Sequence, residues 1–125
     1  MQDSNANILI IDNDEAVVEA LTIRLSAEGF KCFTANCGAQ GLSLFHEMEF
    51  DAVLTDLNMP SGDGVTVIES IRETSRVPVL VVTGFESAYA ENIAKFENVI
   101  IIRKPFALES LLDELEIAIG MSELS

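Results

Sequence analysis

The stretch NILIIDNDEAVVEALTIRL, residues 7–25, contains the pattern that decides how this chain folds. Residues 7–12 contain the uninterrupted aliphatic run 8–11, as expected for a parallel strand that is buried on both faces. A helix is predicted from about Glu15 to about Glu28, since Gly29 can end it and apolar residues recur on one face: Val18, Leu21 and Leu25. A buried strand that leads directly into an amphipathic helix is the building unit of α/β folds.

The same alternation of strand and helix continues to the end of the chain. Further strands are predicted at 30–35, 51–55, 78–82 and 98–102. Helices are predicted at 38–48, from the loop NMPSGDG (58–64) to about 73, at 86–96 and at 107–119. Five aliphatic strands alternating with five helices predict an α/β fold with a doubly wound, five-stranded parallel sheet. The length fits a single domain over 1–125, with its core at about 7–120.

Composition and charge exclude several classes of protein. The 125 residues are 49% hydrophobic, which is enough for a buried core. Asp and Glu outnumber Lys and Arg by 21 to 7, and the net charge of -14 disfavours direct binding to nucleic acids or anionic membranes. No aliphatic run exceeds four residues, no secretory signal is recognisable, and the two cysteines form neither a disulfide framework nor a zinc site. A cytoplasmic location is therefore expected.

Polar residues stand at the ends of four of the predicted strands or within two residues of them: Asp12, Asp56, Thr83 and Lys104. In a doubly wound sheet the carboxyl ends of the strands form the ligand site, so these side chains should converge. Clustered carboxylates repel one another unless a cation lies between them, and Mg²⁺ accepts such oxygen ligands. A carboxylate can also attack phosphorus, assisted by a hydroxyl and an ammonium. The set predicts phosphoryl transfer to an Asp, whereas Asp14 alone is best interpreted as a helix N-cap.

Four motifs resemble those of a known family, the CheY-like receiver domains of bacterial two-component response regulators. They are IIDND (10–14), LTDLNMPSGDG (54–64), VLVVTG (79–84) and RKPF (103–106), and they occur in the family's order. The resemblance extends from residue 8 to about 120. It implies a flavodoxin-like (βα)5 fold and a phosphoacceptor switch that is not an enzyme, beyond assisting its own phosphorylation and dephosphorylation.

The resemblance also implies roles for single residues. Asp56 corresponds to the phospho-acceptor. Asp12 and Asn13 occupy the places of the family's acidic pair, and with Asp56 and the backbone carbonyl of Asn58 they would bind Mg²⁺ or Mn²⁺. Most members have a second Asp where this chain has Asn13, so the metal should bind weakly.

Further site residues follow from the same resemblance. Thr83 and Lys104 correspond to the hydroxyl and the ammonium that contact the phosphoryl group, and the Lys104–Pro105 peptide bond is expected to be cis. Asn58 and Phe85 occupy positions that tune dephosphorylation. Ile101 stands where the family usually has an aromatic switch residue, so the switch is expected to be muted or carried by helix and loop shifts.

The resemblance implies partners as well. A sensor histidine kinase or a phosphotransfer protein would supply the phosphoryl group, and a downstream protein or a fused output domain would respond to it. FENV (96–99) stands before the fifth strand, where the family usually has a Gly-Ala pair. This segment helps to form the face through which many members dimerise, so a monomer or weak dimer is expected.

Two alternatives remain open at this stage. One is a receiver-fold interaction module that works without phosphorylation, for which Asn13 and Ile101 would mark the loss of the switch. The other is a phosphatase of the haloacid-dehalogenase type, in which Asp12 and Asp14 would form the catalytic DxD pair. The second alternative leaves Asp56 without a role.

Overall fold

A computed structural model describes residues 6–56, 64–83, 96–103 and 105–124, the last four of them by their backbone alone. The strands are β1 (Asn7–Ile11), β2 (Lys31–Ala35), β3 (Ala52–Asp56), β4 (Val79–Thr83) and β5 (Val99–Arg103). Within the same residues the helices are α1 (Glu15–Ala27), α2 (Gly38–Glu47), α3 (Gly64–Thr74) and α4 (Leu108–Leu124). The helix predicted at 86–96 falls, apart from its last residue, outside the described residues. None of the described helices combines the length and the apolar character that a membrane span requires.

All five strands belong to one parallel sheet, whose order is β2-β1-β3-β4-β5. The central strands β1, β3 and β4 are almost completely buried, which accounts for their continuous aliphatic sequences. The predicted doubly wound α/β fold is therefore confirmed.

The core is divided by the sheet into two layers. One layer contains Ile8 and Ile10 of β1 together with leucines of α1 and α4, among them Leu21 and Leu111. The other layer contains Leu9 and Ile11 with the apolar face of α3: Val67, Ile68 and Ile71. Successive side chains of a strand point to opposite faces, so each central strand contributes to both layers.

The ends of several elements differ from the prediction for local reasons. The strand predicted at 30–35 begins one residue later, because the Phe30 amide donates to the Leu25 carbonyl (3.1 Å) and closes the end of α1. Gly29 supplies the left-handed backbone (φ 100°) that this closure needs. The third strand begins one residue later than predicted, after Asp51, whose carboxylate accepts a hydrogen bond from the main-chain amide of Asn7 (2.8 Å). The strand also extends one residue further, to Asp56. The last helix continues five residues past its predicted end at residue 119.

Helix α2 approaches β1 very closely at Gly41. A Cβ atom at this position would lie 2.5 Å from Cδ1 and 2.7 Å from Cγ1 of Ile11, well inside van der Waals contact. Ile11 is completely buried, so there is little room for it to move aside. Only glycine therefore allows this helix to lie so near the sheet.

Candidate functional site

The buried polar side chains of the described chain are concentrated at the carboxyl edge of the sheet. There are four of them, and none is more than 4% exposed: Asp12, Thr55, Asp56 and Thr83. Buried polar groups are costly unless they are paired, and this edge would otherwise continue the aliphatic core. Their accumulation in one place marks the candidate site.

The strand register brings the predicted site residues together. Ile11 pairs with Thr55, so Asp12 and Asp56 follow directly at the ends of neighbouring strands β1 and β3. Asp56 pairs with Val82, which places Thr83 one residue further along the next strand. Adjacent strands are about 4.8 Å apart, so the three strands that carry these side chains span only about 10 Å.

Asp12 is fixed by the turn that leads into α1. Its amide donates to the Ala35 carbonyl (3.0 Å), and its Oδ1 accepts a hydrogen bond from the Asp14 amide (2.9 Å). The Asp14 carboxylate in turn accepts from the amides of Ala16 (3.0 Å) and Val17 (3.4 Å), which makes Asp14 the N-cap of the helix. The interpretation of Asp14 as a cap is thus confirmed, and its carboxylate serves the helix end.

Thr55 is a buried polar residue at this edge that the sequence pattern did not single out. It precedes Asp56 in β3, and its hydroxyl donates to the main-chain carbonyl of Asp56 (3.3 Å). A signal for it exists in the sequence, because Thr55 is the one hydroxyl residue within an otherwise apolar run that ends at an aspartate. Its bond fixes the backbone, and with it the position from which the Asp56 side chain projects.

The other predicted site residues divide into two groups. Asn13 is exposed beside Asp12, and Ile101 lies half-buried in β5, where it pairs with Val81 and packs against the layer that contains α3. Asn58, Phe85 and Lys104 lie outside the described residues. The expected cis bond before Pro105 involves Lys104 and therefore lies outside them as well.

The donor set at the site fits a hard divalent cation. Two buried carboxylates, Asp12 and Asp56, end neighbouring strands, and Mg²⁺ commonly binds through one or two carboxylates while keeping several waters. Within the described ranges no group of three or more His, Cys, Asp or Glu side chains forms a complete metal cage. From the described side chains a cation at this edge would thus receive the carboxylates of Asp12 and Asp56.

At the opposite, amino edge of the sheet, one arginine secures the turn that precedes β5. The guanidinium of Arg72, on α3, donates to three main-chain carbonyls: those of Ser75 (3.2 Å), Glu97 (2.9 Å) and Asn98 (3.0 Å). Burial lowers the pKa of Arg72, and the nearby charge of Arg76 lowers it further. Asn98 has a left-handed backbone (φ 63°), and its side-chain amide Nδ2 donates to the Arg76 main-chain carbonyl (2.8 Å). The start of β5 is therefore held from α3.

A family model describes the sequence. The model of the response regulator receiver domain family matches residues 8–116 of this chain. This chain belongs to that family. The receiver domain is a signalling module of two-component systems, and membership in the family, together with the capping role of Asp14, counts against the haloacid-dehalogenase alternative.

Curated relatives agree with this assignment. The response regulator MprA of Mycobacterium sp. (strain KMS) is 38% identical over 108 residues, which are 84% of this receiver domain and 46% of MprA. The transcriptional regulatory protein GlrR of Escherichia coli (strain K12) is 28% identical over 98% of this chain and 28% of its own length. The receiver domain thus spans less than half of the length of the curated relatives it matches.

Solved structures show the same fold. A receiver domain from Clostridium thermocellum superposes with a TM-score of 0.84 at 28% identity, covering 95% of this chain and 98% of its own. The CheY-like receiver domain of Methanospirillum hungatei JF-1 reaches a TM-score of 0.89 at 24% identity, with coverage of 96% and 98%. At 24% identity, the similarity to the Methanospirillum hungatei domain supports the shared fold alone.

Proposed function

We propose that this receiver domain accepts a phosphoryl group on Asp56 and changes conformation in response. The observation that carries the proposal is the concentration of the described buried polar side chains, Asp12, Thr55, Asp56 and Thr83, at one edge of an otherwise apolar core. A fold that needed only stability would place apolar residues there. The retained carboxylates and hydroxyl support a site that handles a charged group.

The transfer would proceed by attack of an Asp56 carboxylate oxygen on the phosphorus of a phosphohistidine. A P–O bond forms while the P–N bond breaks, and the leaving imidazole takes up a proton from solvent. Because β3 lies between β1 and β4, Asp56 has Asp12 on one side and Thr83 on the other. The Thr83 hydroxyl would donate to one phosphoryl oxygen, and the Lys104 ammonium would pair with another.

The residues that would hold Mg²⁺ or Mn²⁺ are Asp12, Asp56, the main-chain carbonyl of Asn58 and the side-chain amide of Asn13. When bound, the cation would offset the negative charge shared by the carboxylates and the incoming phosphoryl group. An amide at position 13 supplies one negative charge fewer than a carboxylate would, so the affinity is expected to be low. Asp12 is nevertheless held in place by the turn that precedes α1.

The response to phosphorylation would involve β4 and β5. Thr83 would move toward the phosphoryl group, and helix and loop shifts would carry the change onward, since Ile101 has no ring to turn inward. An Ile101→Tyr substitution should strengthen the coupling to a partner. Asn58 and Phe85 would set the lifetime of the aspartyl phosphate by controlling the access of water.

We further propose that a sensor histidine kinase or phosphotransfer protein is the phosphoryl donor, and that a downstream protein or an output domain responds. This is consistent with the naming of one relative as a transcriptional regulatory protein. The chain would act in the cytoplasm as one receiver domain, a monomer or weak dimer. With a net charge of -14 it would not contact nucleic acid itself.

The proposal is tested by intact mass after incubation with acetyl phosphate and Mg²⁺. We expect a gain of one phosphoryl group that disappears in Asp56→Asn and after chelation of the metal. Asp113→Asn, the same change on the exposed face of α4, is the matched control and should be phosphorylated normally. No gain in the wild type at tens of millimolar Mg²⁺ would refute the proposal and favour an interaction module that works without phosphorylation.

A further inference from the structure

Thr55 is the one polar member of a row of side chains that crosses the whole sheet. The strand register pairs it with Ile11 of β1 on one side and with Val81 of β4 on the other. The row continues to both edge strands, where it ends at Ala35 and Ile101. Thr55 and its two lateral neighbours are at most 1% exposed, and the neighbours' aliphatic side chains offer its hydroxyl no hydrogen-bonding group. Valine has the same shape as threonine and would suit this row.

The hydroxyl of Thr55 is used on the main chain of the next residue. It donates to the carbonyl of Asp56 at 3.3 Å, which is long for a hydrogen bond from a hydroxyl. Burying a hydroxyl is unfavourable, and a single long bond offsets only part of that loss. Stability alone therefore does not explain a threonine at this position.

Thr55 and Asp56 project from opposite faces of the sheet. Thr55 follows Val53 by two residues, so it points to the layer that contains α3. Asp56 follows Leu54 by two residues, so it points to the layer that contains α1 and α4. The Thr55 hydroxyl is thus directed away from the Asp56 carboxylate and acts on this residue through the backbone.

We propose that the Thr55 hydroxyl is a positioning group for phosphoryl transfer, which holds the Asp56 backbone so that the carboxylate keeps the direction of attack; this inference rests on the proposed phosphorylation of Asp56. In-line attack on phosphorus depends on the direction of the attacking oxygen. A backbone that can tilt at Asp56 spreads that oxygen over several directions, and fewer encounters are aligned. The threonine is retained for the rate of transfer, at a cost in stability.

The experiment measures the rate of phosphorylation against acetyl phosphate concentration by intact mass, at constant Mg²⁺. Thr55→Val removes the hydroxyl and keeps the shape of the side chain. We expect its limiting rate to fall about three- to tenfold, with the half-saturating concentrations of acetyl phosphate and of Mg²⁺ unchanged. Thr55→Ser keeps the hydroxyl and should retain at least about half of the limiting rate.

Stability should follow the opposite order, which separates positioning from folding. In urea denaturation the midpoint of Thr55→Val should equal or exceed that of the wild type, because an aliphatic side chain suits the row. Thr55→Ser lacks a buried methyl group and should have a lower midpoint. The more stable of the two variants is therefore expected to be the slower one.

Two further variants complete the comparison. Thr22→Val is the matched control, because the buried hydroxyl of Thr22 in α1 has no hydrogen-bond partner within the described part of the chain. It should leave the rate of phosphorylation unchanged. Thr55→Ala lacks the hydroxyl and adds no bulk, so it should be slow like Thr55→Val, and its comparison with Thr55→Ser decides the question if the valine variant does not fold.

Several outcomes would overturn the proposal. An unchanged limiting rate in Thr55→Val and Thr55→Ala would remove the positioning role and leave Asp56 as the acceptor. An equal loss in Thr55→Ser would assign the effect to the packing of the methyl group, and an equal loss in Thr22→Val would assign it to any buried hydroxyl. A change confined to the half-saturating concentrations would assign Thr55 to binding. If the wild type takes up no phosphoryl group, the proposed phosphorylation fails and this inference fails with it.

Discussion

Replacing Gly41 with alanine tests the close contact between α2 and β1. The added Cβ would lie 2.5 Å from Cδ1 and 2.7 Å from Cγ1 of Ile11, with Cγ2 at 3.3 Å. A change of rotamer at the end of the Ile11 side chain clears only the first of these contacts, because the other two atoms are attached to its Cβ. Either the helix or the strand must therefore shift.

Two opposing effects determine how much Gly41→Ala changes the free energy of unfolding. Alanine is favoured over glycine inside a helix by about 1 kcal/mol. Overpacking a buried site costs about 1–3 kcal/mol. Since Ile11 is completely buried and α2 packs directly on it, we expect the second effect to exceed the first, with a net loss of about 1 kcal/mol in the free energy of unfolding.

Urea denaturation followed by circular dichroism measures this loss, and Gly120→Ala is the matched control. Gly120 lies in α4, where an added Cβ would meet nothing within 4 Å. That substitution should stabilise the fold by about 0.5–1 kcal/mol, so the two alanines should differ by about 2 kcal/mol. Shortening the neighbour with Ile11→Val should cost about 0.5–1.5 kcal/mol in the wild type and clearly less in Gly41→Ala.

Equal stabilisation by Gly41→Ala and Gly120→Ala would refute this reasoning, because it would mean that α2 has room for the methyl group. Additivity of Gly41→Ala and Ile11→Val would refute the contact itself.

Three further predictions concern stability. Asp14→Ala should cost about 1 kcal/mol in urea denaturation because it removes the N-cap of α1, and Asp14→Asn, which keeps a cap, should cost much less. Arg72→Ala should lower the free energy of unfolding by about 2–3 kcal/mol, since three main-chain carbonyls lose a charged donor. Arg76→Ala removes one exposed ion pair with Glu97 and should cost less than about 1 kcal/mol. Similar losses in the two variants would contradict the assigned role of Arg72. Burial raises the pKa of the Cys32 thiol, so the stability contributed by the neutral thiol is complete below the pKa of the unfolded chain and is lost as the pH rises through the folded pKa. Between about pH 7 and about pH 10 the wild type should therefore lose more free energy of unfolding than Cys32→Ala, and equal losses would count against burial of the thiol.

The positions of the strands follow from local features of the sequence. Residues 8–11 and 79–82 are uninterrupted aliphatic runs, because both faces of a central parallel strand are covered. The polar residues after those runs could then be placed at one edge by topology alone. Asp14 was identifiable as a cap because capping depends on neighbours within three residues.

Features that depend on distant contacts were not predictable in this way. Gly41 is an ordinary helical residue in the sequence, and its role becomes clear only when Ile11 of another element lies against it. The carbonyls held by Arg72 lie up to 26 residues away in the chain, so no local pattern connects them. Phe30 fits a strand by composition, but its amide is used to end α1.

The division of the core into two layers by the sheet has a consequence for how this sequence can diverge. Among the described residues, the apolar side chains of α1 and α4 pack in one layer and those of α2 and α3 in the other, so replacements in one layer rarely touch replacements in the other. Effects of substitutions in separate layers should therefore be nearly additive, while those within a layer depend on one another. Epistasis would then be confined to each side of the sheet, and the two halves of the core could drift independently over evolutionary time.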